Sequence, residues 1–123
     1  MAIASYDELK TQVLKYMLRE GDPVLTAVIE TVVAMAEGRI DDALLGEVAF
    51  DPLSDAAPTN DILAKAPSVY LHACVLEACI YVENHEKGTT HLSLMDTAVK
   101  SYNRKRRLTT IAAQKFKLPG AVV

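Results

Sequence analysis

Residues 69–82 read VYLHACVLEACIYV, and only His72 and Glu77 in that run are polar. Together with Pro67 at its start, the run predicts a helix from Pro67 to about Glu86 that is apolar on nearly every face. Such a helix must be covered on every face, so it belongs at the centre of its domain. At 1.5 Å per residue it spans roughly 30 Å, the width of a small domain.

Upstream of it, Ser5 and Glu8 form the pattern of a capping box. An apolar stripe follows at Tyr6, Leu9, Val13, Tyr16 and Met17. This predicts a first helix over residues 6–20, with Lys10, Gln12, Lys15 and Arg19 facing solvent and Gly21 closing it. Asp22 and Pro23 suit the N-cap and first position of a second helix. Its stripe runs through Leu25, Val28, Ile29, Val32, Ala36, Ile40 and Leu44 until Gly46 stops it. Gly38, inside this helix, marks either close packing or a weak point. Residues 46–60, GEVAFDPLSDAAPTN, have no helical period and read as a loop, with a short strand conceivable at Val48 to Phe50. Asn60 or Asp61 then caps a short turn running to Ala66.

Downstream, Gly88-Thr89-Thr90 reads as a break, and a threonine as the cap of a fourth main helix. Leu92, Met95, Ala98, Val99 and Tyr102 face inward on that helix, which continues to about Lys115. The end, FKLPGAVV, reads as extended because of Pro119 and Gly120. The expected architecture is all-α: a four-helix bundle around a central apolar third helix. Residues 1–115 form the helical domain and 116–123 an extended docking tail. An apolar extended terminus either frays or docks into a groove. Docking on another chain is the reading adopted for Phe116, Leu118, Pro119, Val122 and Val123.

With 123 residues, 50% apolar and 24% charged, the chain suits one globular domain. It shows neither a membrane span nor a secretory leader. Net charge is −3, but residues 1–61 hold 12 acidic and 4 basic residues, whereas residues 62–123 hold 4 and 9. Opposite-signed surfaces suit head-to-tail self-association and contact with a polyanion equally. Cys74 and Cys79 lie five apart on a helix, hence on different faces, and read as small buried hydrophobes.

Catalysis by a nucleophile needs Ser or Cys beside His and a carboxylate. His72, His85 and His91 lie in no such motif; His85 and His91 read as solvated and His72 as a residue tolerated on a helix face. Converging metal ligands at motif spacing and phosphate-cradling glycine loops are not seen in the sequence. The expectation is a protein that is not an enzyme, with no cofactor and no metal. Glu77, midway along the most apolar helix, calls for a partner, since an unpaired buried carboxylate is costly. Arg39 is the candidate for an internal ion pair, with a polar contact between subunits as the other reading. Lys100, Arg104, Lys105, Arg106 and Arg107 either face phosphates or an acidic partner, or form a solvated helix end.

Three stretches, taken in order, resemble the head–tail connector (adaptor) family of tailed phages. The first is Ser5-Tyr6-Asp7-Glu8-Leu9 ahead of an amphipathic helix. The second is Ala36-Glu37-Gly38-Arg39-Ile40, similar to that family's A-E-x-R-I. The third is Asn60 to Leu63, then Ala66-Pro67-Ser68-Val69-Tyr70 leading to Leu76-Glu77-Ala78, similar to N-x-L-L…P-x-L-Y-x-x-x-x-L-x-E-A. Together they cover most of residues 5–100. The resemblance implies a helical virion protein of connector type, assembled in the host cytoplasm. It would form a homo-oligomeric ring, commonly a dodecamer, in the neck beneath the portal protein. The ring would extend the channel through which DNA passes without sequence specificity and would offer a surface to the next tail component. A bacteriophage or a gene transfer agent could carry it, and no membrane is involved. The resemblance places the apolar tail on the portal. Many relatives carry a longer, strand-rich segment where this chain has only the loop at 46–60. The competing reading is a small helical nucleic-acid-binding regulator using residues 100–117, against which stand a pI near 5.5 and the lack of a basic recognition helix.

Overall fold

The computed structural model describes residues 3–19 and 21–117, with side chains as far as Ile111. It holds α1 (Tyr6–Tyr16), α2 (Pro23–Ala43), the short α3 (Asp61–Lys65), α4 (Pro67–Tyr81) and the long α5 (His85–Lys117). The class is all-α, and among the described residues no strand forms. α4 packs against each of the other four helices. Ten of its fifteen residues are buried, which is why its sequence carries no polar stripe. Leu9 and Val13 of α1, Leu25, Ile29 and Val33 of α2, and Ile62 and Leu63 of α3 close around it in one core.

Three helices start where local side-chain chemistry prescribes. Ser5 Oγ accepts from the Glu8 N–H at 3.3 Å while the Ala4 N–H reaches back to Glu8 Oε2 at 3.1 Å. Asp22 Oδ1 accepts from the Val24 and Leu25 N–H groups, with Pro23 opening α2. Asn60 Oδ1 accepts from the Leu63 N–H at 2.9 Å and caps α3. Each satisfies donors that a helix leaves orphaned in its first turn.

The helix ends differ from the sequence expectation. Leu18, Leu45 and Glu83, none of them glycine, take the left-handed conformation at φ 56°, 56° and 61°. After each, the next N–H reaches five residues back, Arg19 to Leu14, Gly46 to Asp41 and Asn84 to Cys79, at 2.9–3.0 Å. All three ends are therefore Schellman closures. α4 stops at Tyr81 rather than near Glu86, and Asn84 starts α5 by accepting from the Lys87 N–H at 3.3 Å. Gly88-Thr89-Thr90, expected as the break, lies inside α5. A Cβ at Gly88 would lie 3.4 Å from Cys79 Cβ and 3.8 Å from Leu76 Cδ1, so a methyl is in ordinary contact there and a larger side chain meets α4.

Residues 46–60 form an ordered loop with no strand at Val48–Phe50. Leu53 is buried, and Val48 and Phe50 pack on the core. The Tyr6 N–H donates to the Pro58 carbonyl at 2.7 Å and ties the loop to the start of α1.

With 33 residues, α5 is about 50 Å long, roughly twice the length of α4. His91, Met95 and Val99 are buried against the core and Tyr102 is half-buried, whereas every residue from Arg107 to Ile111 is exposed. The helix also includes Phe116 and Lys117, expected as extended. Pro119 restricts the residue immediately before it, not those further upstream, and no glycine or proline interrupts residues 89–118. Leu118, Pro119, Val122 and Val123 lie outside the described residues.

Candidate functional site

The polar residues of the motif stretches converge in two buried clusters. In the first, Glu37 Oε2 on α2 accepts from the Tyr70 hydroxyl of α4 and from the Leu53 N–H of the loop, each at 2.8 Å. Asn60 Nδ2 donates to the Tyr70 hydroxyl at 2.8 Å and to the Asp51 carbonyl at 2.7 Å. Tyr70 is fully buried, and its burial raises its hydroxyl pKa, so it stays protonated and able to donate. Phe50 meets the Tyr70 ring edge-on at 6.4 Å. The loop at 46–60 is thus held by one carboxylate, one hydroxyl and one amide, with each buried polar atom answered.

In the second cluster, Arg39 Nε donates to Glu77 Oε1 at 2.6 Å. The Glu77 side chain is 7% exposed and that of Arg39 36%, so the carboxylate is buried and the guanidinium reaches toward solvent. The pair joins α2 to α4. It also forms the floor of a groove of about 710 Å³ that opens between α2 and α5. Met35, Gly38 and Asp42 line the α2 wall, and Leu92 and Asp96 the α5 wall. Met35 and Leu92 are about half exposed there, and the space beside Gly38 is open.

The basic run is divided by the helical period. Lys100, Arg104 and Arg107 fall on one side of α5, and Leu108 and Ile111 continue that stripe at i, i+3, i+4 and i+7 from Arg104. Arg104, Arg107, Leu108 and Ile111 are all exposed. Lys100 pairs with Asp96 one turn back at 2.9 Å. Arg106 faces the other way and donates to Glu47 Oε2 at 3.0 Å, pinning α5 to the loop. Lys105 is exposed beside it. Phe116 is placed in α5 by its backbone, and its side chain lies outside the described residues.

The histidines are arranged otherwise than the sequence suggests. His91 is buried, not solvated, and its Nδ1 lies 3.0 Å from Nδ1 of His72 across the α4–α5 seam. Tyr16 of α1 meets the His91 ring edge-on. Burial lowers the pKa of both rings, and the neighbouring His72 and Lys87 lower that of His91 further. The spacing of 72 and 91 carried no signal of this contact, because it depends on how two helices abut. Cys74 and Cys79 are both free and buried, and burial raises both thiol pKa values, making them poor nucleophiles. Among the described residues no three His, Cys, Asp or Glu side chains converge as metal ligands, and no helix is long and apolar enough to cross a membrane.

What this geometry offers is surface: an acidic, partly apolar groove near one end of α5 and a basic, partly apolar stripe near the other. No protein-family model, curated protein or solved structure matches the chain.

Proposed function

We propose that the chain is a head–tail connector subunit: a structural protein that forms a ring beneath the portal of a DNA-filled head. The observation that carries the reading is where the motif residues meet. Glu37, Arg39, Asn60, Tyr70 and Glu77 belong to the separate stretches that resemble the connector family. Their side chains pair with one another, with the loop backbone at Asp51 and Leu53, and with the Leu63 N–H that Asn60 caps. A likeness that falls on the residues locking α2, α3, α4 and the loop together is a likeness in fold-determining positions. The opposite charge of the groove and the α5 stripe fits subunits that join head to tail, the contact type that closes into rings. Lys105, exposed on α5, is free to meet phosphates of a passing duplex without reading its sequence.

Cosedimentation with DNA-filled, tailless heads of the parent particle tests the proposal. Saturable binding at a fixed copy number per head, lost on deleting residues 116–123, is the expected result. Failure to bind heads, alongside salt-sensitive binding of free subunits to short duplex DNA, would overturn it and favour a nucleic-acid-binding regulator.

A further inference from the structure

We infer that the C-terminal arm of α5 docks in the α2–α5 groove of a second copy of this chain. The inference deepens the ring reading, on which it rests, by naming the contact between neighbours.

Three observations on different parts of the molecule lead to it. The first is the stripe of Arg104, Arg107, Leu108 and Ile111. Leu108 is 60% exposed and Ile111 48%, on a part of the helix with no buried residue from Arg107 to Ile111. Helix-in-groove recognition uses anchors at this i, i+3, i+4, i+7 spacing. The second is the groove itself, where Met35 and Leu92 offer apolar contact to Leu108 and Ile111. Asp42 offers a carboxylate to Arg104 or Arg107, while Asp96 already pairs with Lys100 of its own helix. Arg39 offsets Glu77 and Lys100 offsets Asp96, which leaves the charge of Asp42 in the groove to face a stripe that carries only cations. Complementary signs of this kind set orientation and register as well as attraction.

The third observation is Gly38. A mid-helix glycine is less favourable than alanine by about 1 kcal/mol. A side chain at Gly88 would meet Cys79 and Leu76 of α4, but one at Gly38 would meet nothing within 4 Å. Among the described residues, the smallness of residue 38 serves no packing. It keeps the α2 wall open for something that enters the groove.

The occupant must come from another copy. Leu92 and Asp96 of the groove wall stand on the same continuous helix as Leu108 and Ile111, and a straight rod cannot fold its far end onto its own flank. The contact is therefore heterologous, with the arm of one copy in the groove of the next.

Two variants test it, each altering one half of the junction at an exposed position: Gly38→Leu fills the groove, and Leu108→Asp with Ile111→Asp spoils the arm. Circular dichroism verifies that both fold. In sedimentation, each alone is expected to lose the self-association of the parent chain. An equimolar mixture is expected to recover pairs and nothing larger, because one intact groove meets one intact arm. Gly38→Cys mixed with Leu108→Cys is expected to give an oxidised cross-linked pair, whereas an exposed control, Val24→Cys, mixed with Leu108→Cys does not. Assembly of both variants like the parent would overturn the inference, as would a mixture that yields no pairs and no cross-link. If the arm variant then saturates DNA-filled heads at the parent's copy number, the arm contact falls while the connector reading stands. If the parent itself does not bind heads but the mixture pairs, the connector reading falls and the arm contact stands.

Discussion

Nδ1 of His72 lies 3.0 Å from Nδ1 of His91, within reach of a hydrogen bond between the two rings. One ring donates and the other accepts, which requires opposite tautomers at Nδ1 and leaves no room for both to be protonated there. Because the folded-state pKa of each ring is lowered from its ordinary 6.5, the unfolded chain takes up protons first as pH falls. The pair's contribution to stability is complete above about pH 6.5 and is lost as pH drops toward the lowered values. Thermal melts from pH 8 to pH 5 are expected to show a flat upper region and a falling lower one. His91→Phe is expected to flatten the fall, and an unchanged slope in that variant would place the sensitivity elsewhere.

Tyr70→Phe removes the hydroxyl that links Glu37 to Asn60. Glu37 remains buried and Asn60 half-buried, each with one partner fewer, and we expect a loss of about 1–3 kcal/mol in urea unfolding. Because Glu37 also holds the Leu53 N–H, Glu37→Ala is expected to lose more, and to increase proteolytic cleavage between residues 46 and 60. Equal losses from the two substitutions would mean that the loop does not depend on the carboxylate.

Arg39→Met leaves the Glu77 carboxylate buried and without its cation. A fully buried pair broken this way costs about 3–5 kcal/mol; with Arg39 partly exposed, about 2 kcal/mol is expected. Adding Glu77→Leu is expected to recover most of the loss. A double variant no more stable than Arg39→Met would show that the pair contributes more than mutual neutralisation.

The two helical glycines separate a packing role from an open one. Gly38→Ala is expected to raise stability by about 1 kcal/mol, since the added methyl meets open space and the helix propensity improves. Gly88→Leu is expected to lower it by about 1–3 kcal/mol by forcing α5 away from Cys79 and Leu76. Differential scanning calorimetry of both reads the contrast, and a Gly88→Leu protein as stable as the parent would refute the close approach.

Much of the fold was legible in the sequence where the chemistry is local. Ser5, Asp22 and Asn60 mark helix starts because a cap acts on donors two or three residues away. The central place of α4 followed from having no polar face, and Arg39 with Glu77 from being isolated charges in apolar stretches. Helix ends were less legible because Leu18, Leu45 and Glu83 occupy the left-handed position that glycine was expected to fill. Gly88 misled for the converse reason, since it answers to a neighbouring helix and not to its own backbone. The contacts Glu37–Tyr70 and His72–His91 join residues 33 and 19 positions apart. No local pattern encodes such distances. The groove belongs to neither α2 nor α5 alone, and it depends on a separation between them that no single stretch encodes.

Because α5 is unbroken from His85 to Lys117, the direction in which Leu108 and Ile111 point is geared to the rotation of Met95 and Val99 in the core. Each residue added to the helix turns everything beyond it by about 100° and advances it by about 1.5 Å. A single residue inserted after Arg106 would swing the stripe through more than a right angle, whereas four would return it to within about 40° of its bearing, one turn further out. The chain thus carries an angular scale as well as a length, and a deletion or insertion in this stretch acts as a change of phase before it acts as a change of composition.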